Sequence, residues 1–231
     1  IRDRLAPWLK CYVEYSNECW NSIFRQQTYC QGRGLLDAIG SSNFDKSIKF
    51  YARRSAQVHN LFRLSFAVTG RAGLIKVLAH QSTDTGNTTV RLNEYLTYAT
   101  AQAYPFTAPD VSAIAPYFGT SINQGTSGAG STSERKRDFY MNGTLTKSAL
   151  DALQILDLVE YFHVTKSLPG IAGQRVLLNT WNSSNSASVR LISYEGGQHL
   201  DGADPLDNTG SNTSADGGTY NLTDEATWDG Q

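Results

Sequence analysis

Short apolar segments that are typical of β-strands alternate along this chain with segments that are typical of α-helices. The predicted strands cover residues 9–17, 74–79, 111–117 and 189–194. Between them we predict a helix over 43–68 with Asn43 as N-cap, a helix over 93–103 with Asn93 as N-cap, and a third helix that begins at Thr146. Alternation of this kind predicts right-handed crossovers and a parallel sheet, and therefore an α/β fold.

Two architectures fit this order, namely a doubly wound sheet and part of a (β/α)8 barrel. A dinucleotide-binding sheet carries Gly-X-Gly-X-X-Gly after its first strand, and a P-loop carries Gly-X4-Gly-Lys-Ser/Thr. Neither motif follows any predicted strand. The sequence therefore favours a partial barrel over a nucleotide-binding fold, and a dinucleotide-dependent oxidoreductase is disfavoured with it.

The composition is that of one ordinary globular domain. The 231 residues include 20 basic and 21 acidic side chains, which leaves a net charge of -1. This balance gives no electrostatic reason to expect nucleic acid or an anionic membrane as a partner. No apolar run approaches the roughly 18–20 residues that a membrane-spanning helix needs. We expect residues 1–200 to form the partial barrel domain and residues 201–231, which are mostly Asp, Asn, Gly, Thr and Ser, to form a polar tail.

The three cysteines, Cys11, Cys19 and Cys30, all lie within the first 30 residues. One local disulfide with one free thiol and three reduced thiols are both compatible with this odd number. The spacings are not those of a zinc site, so no metal is expected. Five Asn-X-Ser/Thr sequons give weak support to a secreted or extracellular location.

Two glutamates stand where a barrel enzyme places its chemistry. Glu18 follows the first predicted strand and Glu195 follows the fourth, and the active sites of (β/α)8 barrels lie at the carboxyl ends of the strands. Retaining glycoside hydrolysis needs two carboxyl groups about 5–5.5 Å apart, one protonated as general acid and one ionised as nucleophile. Either residue could instead be a surface group that caps the following helix.

The strings around both glutamates resemble a known family. Ser-Asn-Glu at 16–18 is similar to the Asn-Glu signature of clan A (β/α)8 retaining glycoside hydrolases, and Tyr-Glu-Gly-Gly at 194–197 is similar to the end of their seventh strand. The longer strings Tyr-Val-Glu-Tyr-Ser-Asn-Glu and Tyr-Glu-Gly-Gly-Gln-His-Leu resemble a group of large predicted glycosidases. The resemblance implies that the chain covers strands 4 to 7 of the barrel, a piece of a longer protein.

The same resemblance assigns roles to single residues. It makes Glu18 the acid/base at the end of strand 4 and Glu195 the nucleophile at the end of strand 7. It also makes Asn17 a ligand of the sugar 2-hydroxyl and Tyr117 a candidate to orient the nucleophile. No cofactor is implied, and the partner is a carbohydrate with β-linkages.

Several further residues are candidates for the cleft. His80 and Gln81 end the second predicted strand and could line the cleft, although His80 is about as easily explained as a packed histidine. His199 could contact sugar or could simply be solvated. Trp20 and Trp181 could stack on sugar rings, with the core as the preferred place for Trp20.

Glu14 is expected to have a structural role. Strand alternation would place it on the same face as Glu18 but about 13 Å deeper, from four steps of ~3.3 Å. A carboxylate buried in a barrel core needs a cationic or hydrogen-bonding partner.

The main alternative to an enzyme is a non-catalytic carbohydrate-binding or structural barrel module. The presence of both carboxylates favours the enzyme. Half a barrel would leave open sheet edges and uncovered apolar surface, so the isolated piece is expected to be inactive or poorly folded. The sequence indicates neither the glycan nor the oligomeric state.

Overall fold

A computed structural model of the chain describes residues 6, 8–16, 18–21, 24–67, 73–118, 164 and 168–198. The predicted helix from Thr146 and the predicted polar tail 201–231 lie outside the described residues. Within the described residues the helices are α1 (Arg25–Leu36), α2 (Asn43–Ala67), α3 (Thr85–Ala101) and α4 (Leu168–Asn185). The strands are β1 (Cys11–Glu14), β2 (Leu74–His80), β3 (Val111–Ile114), β4 (Tyr117–Phe118), β5 (Arg190–Ser193) and β6 (Gly197–Gln198).

Four of these strands form one parallel sheet in the order β1-β2-β3-β5. Each strand pairs with the strand of this sheet that follows it along the chain, as the partners Glu14 and Val77, Val77 and Val111, and Val111 and Arg190 show. The predicted α/β fold with a parallel sheet is therefore confirmed.

All four described helices contribute to one apolar core on one face of the sheet. Leu78 of β2 is fully buried there, and the core cluster to which it belongs includes residues from all four described helices. The helical members of this core are Cys30, Phe50, Tyr51, Ala52, Ala56, Leu92, Tyr95, Ala99, Leu178 and Trp181. Side chains alternate between the faces of a strand, so residues next to Leu78 must point the other way.

The opposite face carries a second, smaller cluster. Val77 and Ala79 of β2 pack there with Val111 and Ala113 of β3. The partly buried side chains around them come from strands and loops, and they are Trp20, Ile75, Ile192 and Tyr194. In the described part of the chain no helix packs on this face.

The first strand is shorter than predicted. It ends at Glu14, because the backbone turns into the left-handed region at Ser16, with φ of 59°, and at Glu18, with φ of 43°. Extended alternation therefore stops before Glu18, and the predicted strand over 9–17 is wrong at its carboxyl end. The estimate that Glu14 lies about 13 Å deeper than Glu18 rested on that extension and is lost with it.

Two other observed boundaries differ from the predicted ones, each for a local reason. Helix α3 begins at Thr85 rather than near Asn93, because the carboxylate of Asp84 caps it and accepts a hydrogen bond from the backbone N–H of Asn87 at 3.0 Å. Strand β3 ends at Ile114, since Pro116 has no N–H to donate to a neighbouring strand.

Helix α2 matches the predicted span almost completely, but its cap is displaced by one residue. The hydroxyl of Ser42 accepts the hydrogen bond from the N–H of Asp45 at 3.1 Å, so Ser42 rather than Asn43 caps the helix. Helices α1 and α4 were not predicted at all.

The chain divides into two compact units. The first consists of Ile1–Ala115 and Gly170–Glu195 and contains the four-stranded sheet. The second consists of Pro116–Pro169 and Gly196–Gln231, and its described part includes the parallel pair of β4 and β6. None of the helices in the described residues combines the length and the apolar character needed to cross a bilayer.

Two glycines of α1 provide a matched test of how α1 packs on α2. A Cβ at Gly34 would lie 2.5 Å from the carbonyl oxygen of Lys46, whereas a Cβ at Gly32 would meet nothing within 4 Å. We expect Gly34→Ala to lower the free energy of unfolding by about 1–3 kcal/mol, because the helix backbones must move apart. Gly32→Ala should raise it by about 0.5–1 kcal/mol through helix propensity. Urea unfolding measures both, and equal effects would contradict the close contact.

Candidate active site

Three carboxyl groups converge at the carboxyl edge of the parallel sheet. Glu14 is the last residue of β1, Glu18 lies in the turn that follows, and Glu195 lies two residues after β5. Both Glu18 and Glu195 act electrostatically on Glu14. The structure therefore brings the two predicted catalytic residues to one place, together with a third carboxyl group.

Glu14 has the most perturbed carboxyl group of the three. Burial raises its pKa from 4.5 to about 7, with further contributions from the negative charges of Glu195 and Glu18. Its Oε1 atom is buried and has no hydrogen-bond partner among the described residues. Glu14 is consequently about half protonated at neutral pH, as a carboxyl group that holds a proton for catalysis must be.

The carboxylate of Glu18 is held at both oxygens. The side-chain amide of Asn21 donates to Oε2 at 2.9 Å, and the hydroxyl of Tyr194 lies 3.3 Å from Oε1. The tight turn 18–21 also closes through a backbone hydrogen bond from Asn21 to the carbonyl of Glu18 at 2.9 Å. These contacts fix the direction of the Glu18 carboxyl group.

Tyr194 donates a hydrogen bond to Glu18 and lies within electrostatic range of all three carboxyl groups. Burial raises the pKa of its hydroxyl well above the ordinary value, and the charges of Glu18, Glu195 and Glu14 raise it further. The hydroxyl therefore stays protonated and available to donate a hydrogen bond. Because Tyr194 follows β5 and Glu14 ends β1, the two outer strands of the sheet contribute to the same site.

A pocket of about 470 Å³ adjoins Glu14 and Tyr194. It lies on the sheet face that no described helix covers, and its lining residues are Tyr12, Glu14, Val77, Ile192, Ser193 and Tyr194. The ring of Tyr12 is 54% exposed. The volume falls within the range of small-ligand sites, and an aromatic wall with one carboxyl group can accept a sugar ring.

A buried cation stands next to the turn that carries Glu18. The guanidinium carbon of Arg91 lies 5.0 Å from the ring centre of Trp20 and 6.0 Å from that of Tyr51. Burial lowers the pKa of Arg91 to about 10, so it keeps its charge at neutral pH. The edge-on contact of Trp20 with Tyr51 and the cation–π contact with Arg91 hold this turn against the helices.

The remaining predicted site residues lie in different surroundings. His80 is fully buried beside Arg91, and both burial and that charge lower its pKa, so it is neutral at pH 7. Gln81 is exposed, and its backbone carbonyl accepts a hydrogen bond from the side-chain amide of Gln174 at 3.1 Å. Neither residue lines the pocket. Asn17 and His199 lie outside the described residues, and Tyr117 is described only as the first residue of β4.

The two tryptophans are both part of apolar packing. Trp181 is 6% exposed, and its indole N–H donates to Asn93 at 2.8 Å, so it belongs to the core rather than to a sugar platform. Trp20 packs against the sheet face and edge-on against Tyr51. The described residues contain no group of three or more side chains that could hold a metal ion.

Sequence reasoning missed the parts played by Glu14, Asn21 and Tyr194. A signal for Tyr194 was present, because it directly precedes Glu195. Comparisons with protein-family models, curated protein sequences and solved structures found no match to this chain.

The raised pKa of Glu14 makes a prediction about stability. Because its folded pKa of about 7 exceeds 4.5, the folded state binds the proton more tightly, and stability falls as the pH rises through this window. The full loss is at most about 3 kcal/mol, and partial solvent exposure reduces it to roughly 2 kcal/mol. Glu14→Gln should remove this loss and exceed the wild type in stability at pH 8. Denaturant unfolding between pH 5 and 8 measures the difference, and parallel curves would contradict the assignment.

Proposed function

We propose that this protein is a glycoside hydrolase that cleaves a β-linked glycan or glycoside with retention of configuration. Glu18 is the acid/base and Glu195 is the nucleophile. The observation that carries the proposal is the hydrogen bond from Tyr194, which follows β5, to Glu18, which follows β1, with Glu14 and Glu195 near enough for their charges to act on the same hydroxyl. Carboxyl groups placed together in this way acquire the different protonation states that glycoside hydrolysis needs.

We further propose that β1, β2, β3 and β5 are strands 4 to 7 of a (β/α)8 barrel. Their sequential order and the packing of all described helices on one face support a singly wound sheet. In a flat sheet β1 and β5 would lie about 14 Å apart, from three steps of ~4.8 Å. Yet Glu14 and Tyr194 line the same pocket, which supports a sheet that curls towards its helix-free face.

In the first step of the proposed reaction, protonated Glu18 donates its proton to the glycosidic oxygen as the bond to the anomeric carbon breaks. Glu195, which is exposed and reachable by substrate, attacks that carbon and forms a covalent glycosyl ester. In the second step, Glu18 removes a proton from water, and the water oxygen displaces Glu195. Asn21 and Tyr194 support both steps by keeping the Glu18 carboxyl group in one direction.

Glu14 has a supporting part in this scheme. With a pKa of about 7, its carboxyl group is about half protonated at neutral pH, so the cluster carries less negative charge than three ionised glutamates would. A neutral Glu14 lowers the electrostatic repulsion that a third carboxylate would add to the site. The exposed ring of Tyr12 in the adjoining pocket is suited to stacking on a sugar of the substrate.

The test compares carboxyl-to-amide variants of the full-length protein on aryl β-glycosides. Glu18→Gln and Glu195→Gln should each lower kcat/KM by at least about 10³-fold, because each removes a proton or electron pair that the reaction requires. The matched control is Asp37→Asn at an exposed carboxylate that pairs with Arg33 on α1. Its rate should stay within about twofold of the wild type, in line with a surface pair.

Two outcomes would contradict the proposal. The first is a product whose anomeric configuration, followed by proton NMR during hydrolysis, is inverted. The second is glycan binding by the wild type without any turnover, which would instead support a carbohydrate-binding module.

An independent prediction concerns Tyr194. Tyr194→Phe removes the hydroxyl but keeps the ring, so the fold should persist while the Glu18 carboxyl group loses one of its two partners. We expect kcat to fall about 10- to 100-fold, which is the effect of losing one hydrogen bond of about 1.5–3 kcal/mol to a charged group. Steady-state kinetics together with a circular dichroism spectrum measures this, and an unchanged kcat would remove Tyr194 from the site.

A further inference from the structure

Two cysteine thiols meet in the apolar core beside the candidate active site. Cys19 directly follows Glu18, and Cys30 lies in the middle of α1. Their side chains are 1% and 0% exposed, and they belong to the same core cluster. Both are free thiols, and they lie close enough for a side-chain hydrogen bond between them to shift the pKa of each.

The backbone holds this pair together independently of the thiols. The buried hydroxyl of Ser47 on α2 lies 3.1 Å from the carbonyl oxygen of Cys19 and 3.4 Å from that of Gln27. Gln27 and Cys30 are three residues apart in α1, and such residues lie on the same face of a helix. Ser47 therefore fixes the turn of Cys19 against the face of α1 that presents Cys30.

We propose that Cys19 and Cys30 form an intrachain disulfide when the protein folds in an oxidising environment, and that Cys11 remains a free thiol. Cys11 lies in β1 and is only half-buried. The proposal is independent of the glycosidase activity. It resolves the odd number of cysteines into one bridge and one single residue.

The chemistry is a thiol–disulfide exchange with a small disulfide of the glutathione class. The thiolate of one of the two cysteines attacks one sulfur of that disulfide, and one glutathione thiolate leaves. The thiol of the other cysteine loses its proton and displaces the second glutathione, so two protein thiols are oxidised and one external disulfide is reduced to two thiols.

In the folded protein, the surroundings make Cys19 the more acidic of the two thiols. The hydrogen bond from Cys30 lowers the pKa of Cys19, and the charge of Arg91 acts in the same direction. That hydrogen bond and burial raise the pKa of Cys30. Both thiols are buried in the folded chain, so the exchange takes place before α1 and α2 close over them.

The bridge would join the turn after Glu18 to α1. It constrains the short segment between residues 19 and 30, and a short loop still restricts the unfolded chain appreciably. Its expected effect is to keep the Glu18 turn in place when the protein is warmed.

The direct test is alkylation and peptide mapping. The full-length protein is refolded with reduced and oxidised glutathione, unfolded without reductant, treated with iodoacetamide and digested. We expect a cross-linked peptide that joins Cys19 to Cys30 and an alkylated Cys11. Alkylation of all three cysteines, or any bridge that includes Cys11, would overturn the proposal.

Variants give a second measurement with a built-in control. Reduction by dithiothreitol should lower the Tm of the wild type and of Cys11→Ser by roughly 5–10 °C, as expected for a loop of this size in a domain of this size. Cys30→Ser should show no change on reduction. A Tm of Cys30→Ser that falls as far as that of the wild type would contradict the bridge. If Cys30→Ser does not fold, the peptide map of the wild type decides the question on its own.

Discussion

The packing of four helices against a single face of the parallel sheet is the constraint on which the site depends. Tyr51 and Tyr95 fill this layer at 0% exposure, and the hydroxyl of Tyr51 accepts a hydrogen bond from the N–H of Ala79 at 3.0 Å. That contact ties α2 directly to the second strand of the sheet. Because the helices occupy one face, the other face and the carboxyl edge of the strands have no helix over them among the described residues. The carboxyl groups and the pocket occupy that side.

The turn after β1 positions the carboxyl group of Glu18 at the candidate site. Two residues without the freedom of glycine, Ser16 and Glu18, hold left-handed backbone conformations there. Such conformations persist only where surrounding contacts enforce them, and they are concentrated at functional positions. Here the contacts are Asn21 on the Glu18 carboxylate, Ser47 on the backbone of Cys19, and Arg91 on the ring of Trp20. Each acts on a different residue of the same turn.

Much of the fold could be predicted from the sequence, because strands β2, β3 and β5 and helix α2 carry strong local patterns. Helix α1 escaped prediction since Gly32 and Gly34 are typical of loops, whereas Gly34 is required by the close approach of Lys46. Asp84 was overlooked as a cap because a later asparagine offered a similar signal. Both errors have the same cause: where the local sequence preference is weak, tertiary contacts determine whether a segment is helical and where the helix begins.

The same limit applies to the candidate site. The chain order predicted that Glu18 and Glu195 follow strands at the same edge of the sheet, and the structure places both within electrostatic range of Glu14, although β1 ends at Glu14 rather than at Glu18. The role of Glu14 could not be predicted, because it depends on β1 ending at Glu14. The left-handed conformations of Ser16 and Glu18 that end the strand have no signature in the sequence, since neither residue type favours them. Tyr194 was visible in the sequence, but its contact with Glu18 spans 176 residues and depends on how the sheet brings its outer strands together.

The central claim is that Glu195 attacks the anomeric carbon of a β-glycoside while Glu18 supplies and removes the proton. A 2-deoxy-2-fluoro-β-glycoside with a good leaving group slows the second step, so the covalent intermediate accumulates on a retaining enzyme. Peptide mass spectrometry of the full-length protein after such treatment should find the fluorosugar on Glu195, and Glu195→Gln should abolish the label. Absence of any covalent adduct on the active wild type, or its attachment to another residue, would contradict this account.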